Sequence, residues 1–144
     1  MDYDDPKVEQ RWCDERRREV AEYLAKERVS HGRIGEWPAW HVAPYVSIWA
    51  IESVSEPGWV GWWVICGDLP TDYVSASQIK HPREALRAFA SRWMGAAGHM
   101  AAGTPSPDFG VGSPSQGPSL APILAARAEL LQDWASDPEL WGDD

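Results

Sequence analysis

The run His41-Val42-Ala43-Pro44-Tyr45-Val46-Ser47-Ile48-Trp49-Ala50-Ile51-Glu52-Ser53, then Ser55-Glu56-Pro57-Gly58, then Trp59-Val60-Gly61-Trp62-Trp63-Val64-Ile65-Cys66, decides the fold. β-Branched and aromatic residues dominate both outer runs, as strands require. The Pro-Gly segment between them is a turn signal. An antiparallel hairpin of 41–53 and 59–66 is therefore predicted. Alternation is not clean: Trp59, Trp63 and Ile65 fall on one side, Val60, Trp62, Val64 and Cys66 on the other. Apolar residues on both sides imply that both faces are covered, by helices or by a partner. A lone hairpin is marginal in water, and Tyr73-Val74-Ser75 is the candidate third strand.

Helices flank this centre. Asp5-Pro6 supplies an N-cap and a first-turn proline, and Val8, Trp12, Val20, Tyr23 and Leu24 recur at helical spacing over 6–28. Residues 32–41, with Gly32, Gly35 and Pro38 between Trp37 and Trp40, read as a loop pinned to the core. His81-Pro82-Arg83-Glu84 opens a second helix with Leu86, Phe89, Ala90, Trp93, Ala97 and Met100 on one face. Residues 103–119 are mostly Gly, Pro and Ser and read as a loop or flexible connector. Ser119 is expected to cap a third helix with the stripe Leu120, Ile123, Leu124, Leu131 and Trp134, before a tail at Asp137-Pro138 that carries Trp141. The expectation is α+β: a small antiparallel sheet, a hairpin or three-strand meander, packed with about three amphipathic helices in one domain over 1–144.

Composition narrows the function classes. The chain has 144 residues, 13 Lys and Arg against 22 Asp and Glu, and a net charge of −9. Nucleic-acid affinity rests on basic residues that displace counterions, so no nucleic-acid partner is expected. The densest basic run, Arg16-Arg17-Arg18, sits among Asp14, Glu15 and Glu19 and reads as a solvated helix face. The most apolar stretch, Val42 to Cys66, is broken by Glu52, Glu56 and Pro57, so no membrane span is expected. The acidic start Met1-Asp2-Tyr3-Asp4-Asp5 lacks a signal-peptide layout, Cys13 and Cys66 read as reduced thiols, and the expected location is cytoplasmic.

Ten tryptophans are the compositional anomaly. Each can bury ~150–250 Å², so most must be core. Trp12, Trp93 and Trp134 lie on helical stripes and read as packing residues. Trp37, Trp40, Trp49, Trp62 and Trp63 are open between core and recognition surface, because an indole combines apolar area with an N–H that wants a partner.

After the second strand comes Gly67-Asp68-Leu69-Pro70-Thr71-Asp72-Tyr73. Asp68 and Asp72, with Thr71 beside them, are either turn and cap residues or two carboxylates that serve as ligand anchors, metal ligands or an acid/base pair. Arg83 is either solvated or turned toward Asp72, and His81 reads as a helix-start residue. The block Trp62–Tyr73, followed by His81-Pro82-Arg83-Glu84-Ala85-Leu86, resembles a bacterial domain family of unknown function. Trp37–Tyr45 and Leu120–Trp134 are similar to it too, so the likeness runs from about Trp12 to Trp141 and departs at the low-complexity Gly103–Ser119. The resemblance implies a free-standing bacterial cytoplasmic protein and carries over no catalytic or binding residue.

No metal, nucleophile or phosphate motif appears: His31, His41, His81 and His99 are dispersed, Cys66 has apolar neighbours, and Gly110-Val111-Gly112 lacks a lysine and a third glycine. No cofactor, metal or catalytic residue is therefore assigned. Two readings stand. One is a non-catalytic binding or regulatory module, of inhibitor or immunity type, that masks a basic protein or pairs with itself. The other is a small enzyme or small-molecule binder built on the Asp68/Asp72 bend. The candidate residues are Trp37, Trp40, His41, Trp62, Trp63, Asp68, Thr71, Asp72, Tyr73 and Arg83.

Overall fold

The computed structural model describes residues 2–102 and 117–142, the side chains of 117–120 excepted. The expected connector over 103–119 therefore lies outside the described residues as far as 116. The elements are α1 (Pro6–Lys26), β1 (Trp40–Val42), β2 (Val46–Glu52), β3 (Val60–Gly67), β4 (Leu69–Ser75), α2 (Pro82–Ala102), α3 (Gly117–Ser136) and α4 (Pro138–Trp141). The fold is α+β, with one antiparallel sheet in the order β1-β2-β3-β4. The chain divides into two compact units, residues 1–85 and 86–144.

In the first unit, α1 begins where Asp5 accepts a hydrogen bond from the Lys7 N–H at 2.9 Å, with Pro6 at the first helical position. It stops at Lys26, two residues short of the expected 28. Arg28 turns left-handed at φ 56°, and the N–H groups of Arg28 and Val29 return to Ala25 and Leu24. This is a helix-ending pair of bonds that glycine usually permits and that arginine makes here. Trp12, Cys13, Val20 and Leu24 are buried on one stripe of α1. Val20 and Leu24 join Trp49, Ile51, Val64 and Cys66 in a core cluster, each large aliphatic contributing roughly 1.5–3 kcal/mol by leaving water.

The sheet has four strands where a hairpin or three-strand meander was expected. The run 41–53 is two strands, because Pro44 has no N–H to donate and the chain turns at Ala43-Pro44-Tyr45 through a cis Ala43–Pro44 bond. The third expected strand, Tyr73–Ser75, is the end of a longer β4 that starts at Leu69. Segment 32–39 runs along the remaining edge of β2: Gly32, Gly35 and Ala39 donate to Glu52, Ala50 and Ile48. Arg17 locks this segment to α1 by donating to the Gly35 and Ile34 carbonyls, both at 2.9 Å. The expected solvated face at 16–18 is thus partly a structural clamp.

Both faces of the central strands are buried, Trp49, Ile51, Val64 and Cys66 toward α1 and Ile48, Trp63 and Ile65 on the reverse. The register shifts between Ile51 and Glu52, so that Ile51 faces Trp62 but Glu52 faces Val60. Trp59 therefore falls outside β3, and it is 70% exposed rather than aligned with Trp63 and Ile65.

In the second unit, α2 buries Leu86, Phe89, Ala90, Trp93, Ala97 and Met100, the face read from sequence. On α3 the buried stripe is Ala121, Leu124, Ala128, Leu131 and Ala135, while Ile123 is 59% exposed. Leu124 and Leu131 of the expected stripe are thus buried and Trp134 is half-buried, while Ala121, Ala128 and Ala135, which the expected stripe left out, complete the buried face. The helix also starts at Gly117 rather than after Ser119.

Candidate functional site

The ten sequence candidates settle in separate places. Asp68 is exposed at the β3–β4 connection, where its N–H donates to the Tyr45 carbonyl at 3.0 Å. Asp72 sits inside β4 opposite Ile65, only 2% exposed, with Oδ1 accepting from the Tyr73 N–H at 2.9 Å. The bend is therefore shorter than read: Asp72 is a strand residue, and neither carboxylate lines the clefts described below. Thr71 is half-buried on β4, and Arg83 is half-buried in the first turn of α2, its N–H donating to His81 Nδ1 at 3.1 Å.

Trp37 and His41 do meet. His41 stacks on Trp12 with ring centres 6.2 Å apart and meets the edge of Trp37 at 5.3 Å. Its Nε2 pairs with Glu9 Oε2 at 3.0 Å. Arg16 lies over the other indole partner, 5.4 Å from the Trp12 ring, and pairs with Glu19 at 2.9 Å. Sequence reading missed Glu9 because the contact joins residues 32 positions apart. Trp40 lies on β1, half-buried. The imidazole is filled in on both sides, so this cluster ties α1 to β1 and the loop before it.

Trp62 and Tyr73 also meet, at 5.6 Å, and Tyr73 meets Tyr23 of α1 at 5.9 Å. The Trp62 N–H donates to the Ser30 carbonyl at 3.3 Å, and the buried Trp63 donates to the Ile79 carbonyl at 2.9 Å. Deeper in the sheet, Trp49 donates to Ser47 Oγ at 2.9 Å, and Ser47 donates to the Cys66 carbonyl at 3.0 Å. A buried hydroxyl is thereby satisfied on both sides. Burial pushes the Cys66 thiol up to about 12 and the Cys13 thiol up to about 11, so both are protonated packing residues at neutral pH.

The open end of the sheet carries what sequence reading did not single out. Around the β2–β3 turn, Glu52 accepts from the Arg33 N–H at 3.1 Å and the Gly58 N–H at 2.9 Å, and these bonds hold its carboxyl below the ordinary glutamate value. Trp59 stands beyond this clamp as a fin between two clefts. One, of about 320 Å³, is lined by Arg33, Glu36, Glu52 and Trp59 among others. The other, of about 400 Å³, is lined by Trp59, Trp62, four serines, Glu56 and Lys80. Its only sequence signal was an indole directly after Pro57-Gly58, which strand propensity outweighed. Among the described residues no group of His, Cys, Asp and Glu is placed to hold a metal, and no helix is long and apolar enough to cross a membrane.

An α+β domain with an aromatic-rich antiparallel sheet and clefts flanking the exposed Trp59 indole is the class defined here. Residues 6–141 match the family described as domain of unknown function DUF4826, and the chain belongs to that family. Neither a curated protein nor a solved structure matches it.

Proposed function

We propose that the protein is a non-catalytic binding or regulatory module of a bacterial cytoplasm, and that it docks a basic protein partner through the Trp59 end of its sheet. The carrying observation is Trp59 itself, 70% exposed beside Val60 at 40% and Val54 at 58%. Tryptophan is enriched among residues that dominate protein interfaces, and here it is grouped with two further exposed apolar side chains rather than standing singly. Charge favours the same reading: Glu36 and Glu52 outnumber Arg33 around the outer cleft, in a chain of net −9. Such a surface speeds encounter with a cationic one and rejects acidic competitors. An inhibitor- or immunity-type role fits that chemistry.

Capture from native lysate on immobilised protein tests the proposal. Wild type should retain one stoichiometric basic protein, Trp59→Ala should lose it, and Glu36→Lys should weaken capture most at low salt. Equal capture by all three proteins, or none in repeated trials, overturns the reading.

A further inference from the structure

The cleft on the serine side of Trp59 has a lining that differs from the partner-facing side. We propose that it binds an uncharged, polyhydroxylated small molecule of the pyranose class. This goes beyond the partner reading and does not depend on it.

Two serine pairs converge on the cleft from different turns. In the β2–β3 turn, Ser53 Oγ accepts from the Glu56 N–H at 3.1 Å and lies 3.2 Å from Ser55 Oγ. After β4, Ser75 Oγ accepts from the Ser77 N–H at 3.2 Å and donates to Ser77 Oγ at 3.2 Å. In each pair the inner hydroxyl, Ser53 or Ser75, holds its turn. The outer one, Ser55 or Ser77, keeps hydrogen-bonding capacity for a ligand, since a hydroxyl offers one proton and two lone pairs.

The wall is aromatic and only partly committed. The Trp62 N–H is used on the Ser30 carbonyl. Trp59 makes no side-chain hydrogen bond among the described residues, and the residue is 70% exposed. A sugar ring presents an apolar face of C–H groups bordered by hydroxyls. The C–H face suits the electron-rich face of an indole, and the hydroxyl rim suits serines. At about 400 Å³ the cleft lies within the usual range for small-ligand sites, roughly 300–1,000 Å³. The charges decide the class. Glu56 and Lys80 are of opposite sign, and the Lys80 ammonium already donates to the Ala76 carbonyl at 3.4 Å. No excess charge remains to select a phosphate or an amine.

The test is an NMR titration of the full chain with methyl β-D-glucopyranoside and methyl β-D-galactopyranoside, and with glucosamine and glucuronate as charged counterparts. At least one neutral glycoside should shift the Trp59 indole N–H and the Ser55 and Ser77 amides saturably at millimolar concentration. Trp59→Ala should weaken binding by roughly tenfold or more, and Ser77→Ala by a few-fold. The remaining indole resonances report that each variant is folded. Glu36→Lys, outside this cleft, should leave the titration unchanged while it weakens partner capture, so the two proposals fail separately. Absence of a saturable shift, tighter binding of either charged sugar, or full binding by both Trp59→Ala and Ser77→Ala overturns the inference.

Discussion

The two ends of the sheet use similar residues to opposite effect. At the β3–β4 end the backbone leaves no room: Gly67, at φ +145°, is so close to the chain that a Cβ there would lie 2.5 Å from the Tyr45 carbonyl oxygen. At the β2–β3 end Gly58 is also left-handed, at φ +91°, yet a Cβ would meet nothing within 4 Å. The first end carries the aspartate pair that drew attention in the sequence, and it is built as a joint. The second carries Trp59, its clefts and two serine pairs. A polar motif on a tight turn thus served the backbone, while an unremarkable turn displays the surface chemistry.

Tryptophan gives the widest test of this contrast. Trp49→Ala should cost about 3–5 kcal/mol in urea unfolding, since it empties a fully buried site and strips Ser47 of its donor. Trp59→Ala should stay within about 0.5 kcal/mol of wild type. Similar losses at both sites would mean that Trp59 is core after all. The glycines come next. Gly67→Ala should cost about 2–4 kcal/mol, combining steric conflict with an unfavourable φ, against about 1 kcal/mol for Gly58→Ala. Equal values from chemical denaturation would erase the difference between the ends.

Acid should act through the open end. Glu52 has its carboxyl lowered in the folded state, so its contribution is present above the unfolded glutamate value and lost as pH falls through the lowered one. Unfolding midpoints measured from neutral pH downward should decline less steeply in Glu52→Gln than in wild type. The smallest effect is a null one: with their thiols at about 12 and about 11, Cys66 and Cys13 should resist iodoacetamide at neutral pH until denaturant is added. Rapid labelling of the native protein would show that the strand carrying Cys66 opens readily.

Local physics made much of the fold legible. The Asp5-Pro6 start, the Pro82 start and the apolar face of α2 needed only caps and periodicity. The β-rich centre was legible too, but its division at Pro44 and its register shift before Glu52 were not, because both depend on how neighbouring strands pair. On α3 Leu124 and Leu131 were legible, but Ala121, Ala128 and Ala135 were not, because a small side chain gives a weak periodic signal even where it is buried. Site reading fared worse. His41 was named without Glu9, Trp62 without Ser30, and Trp59 was placed in a strand, since each environment is assembled from distant segments.

By itself the amino-acid order determined that this is an acidic, tryptophan-rich α+β chain with amphipathic helices and an antiparallel sheet. Those features follow from charge count, side-chain period and capping, which act over a few residues at a time. Which indoles are buried, which carboxylate clamps a turn and which faces water was decided only in three dimensions. Burial and hydrogen bonding are properties of a residue's neighbours, and in Trp49 and Trp59 the same side chain meets opposite neighbourhoods.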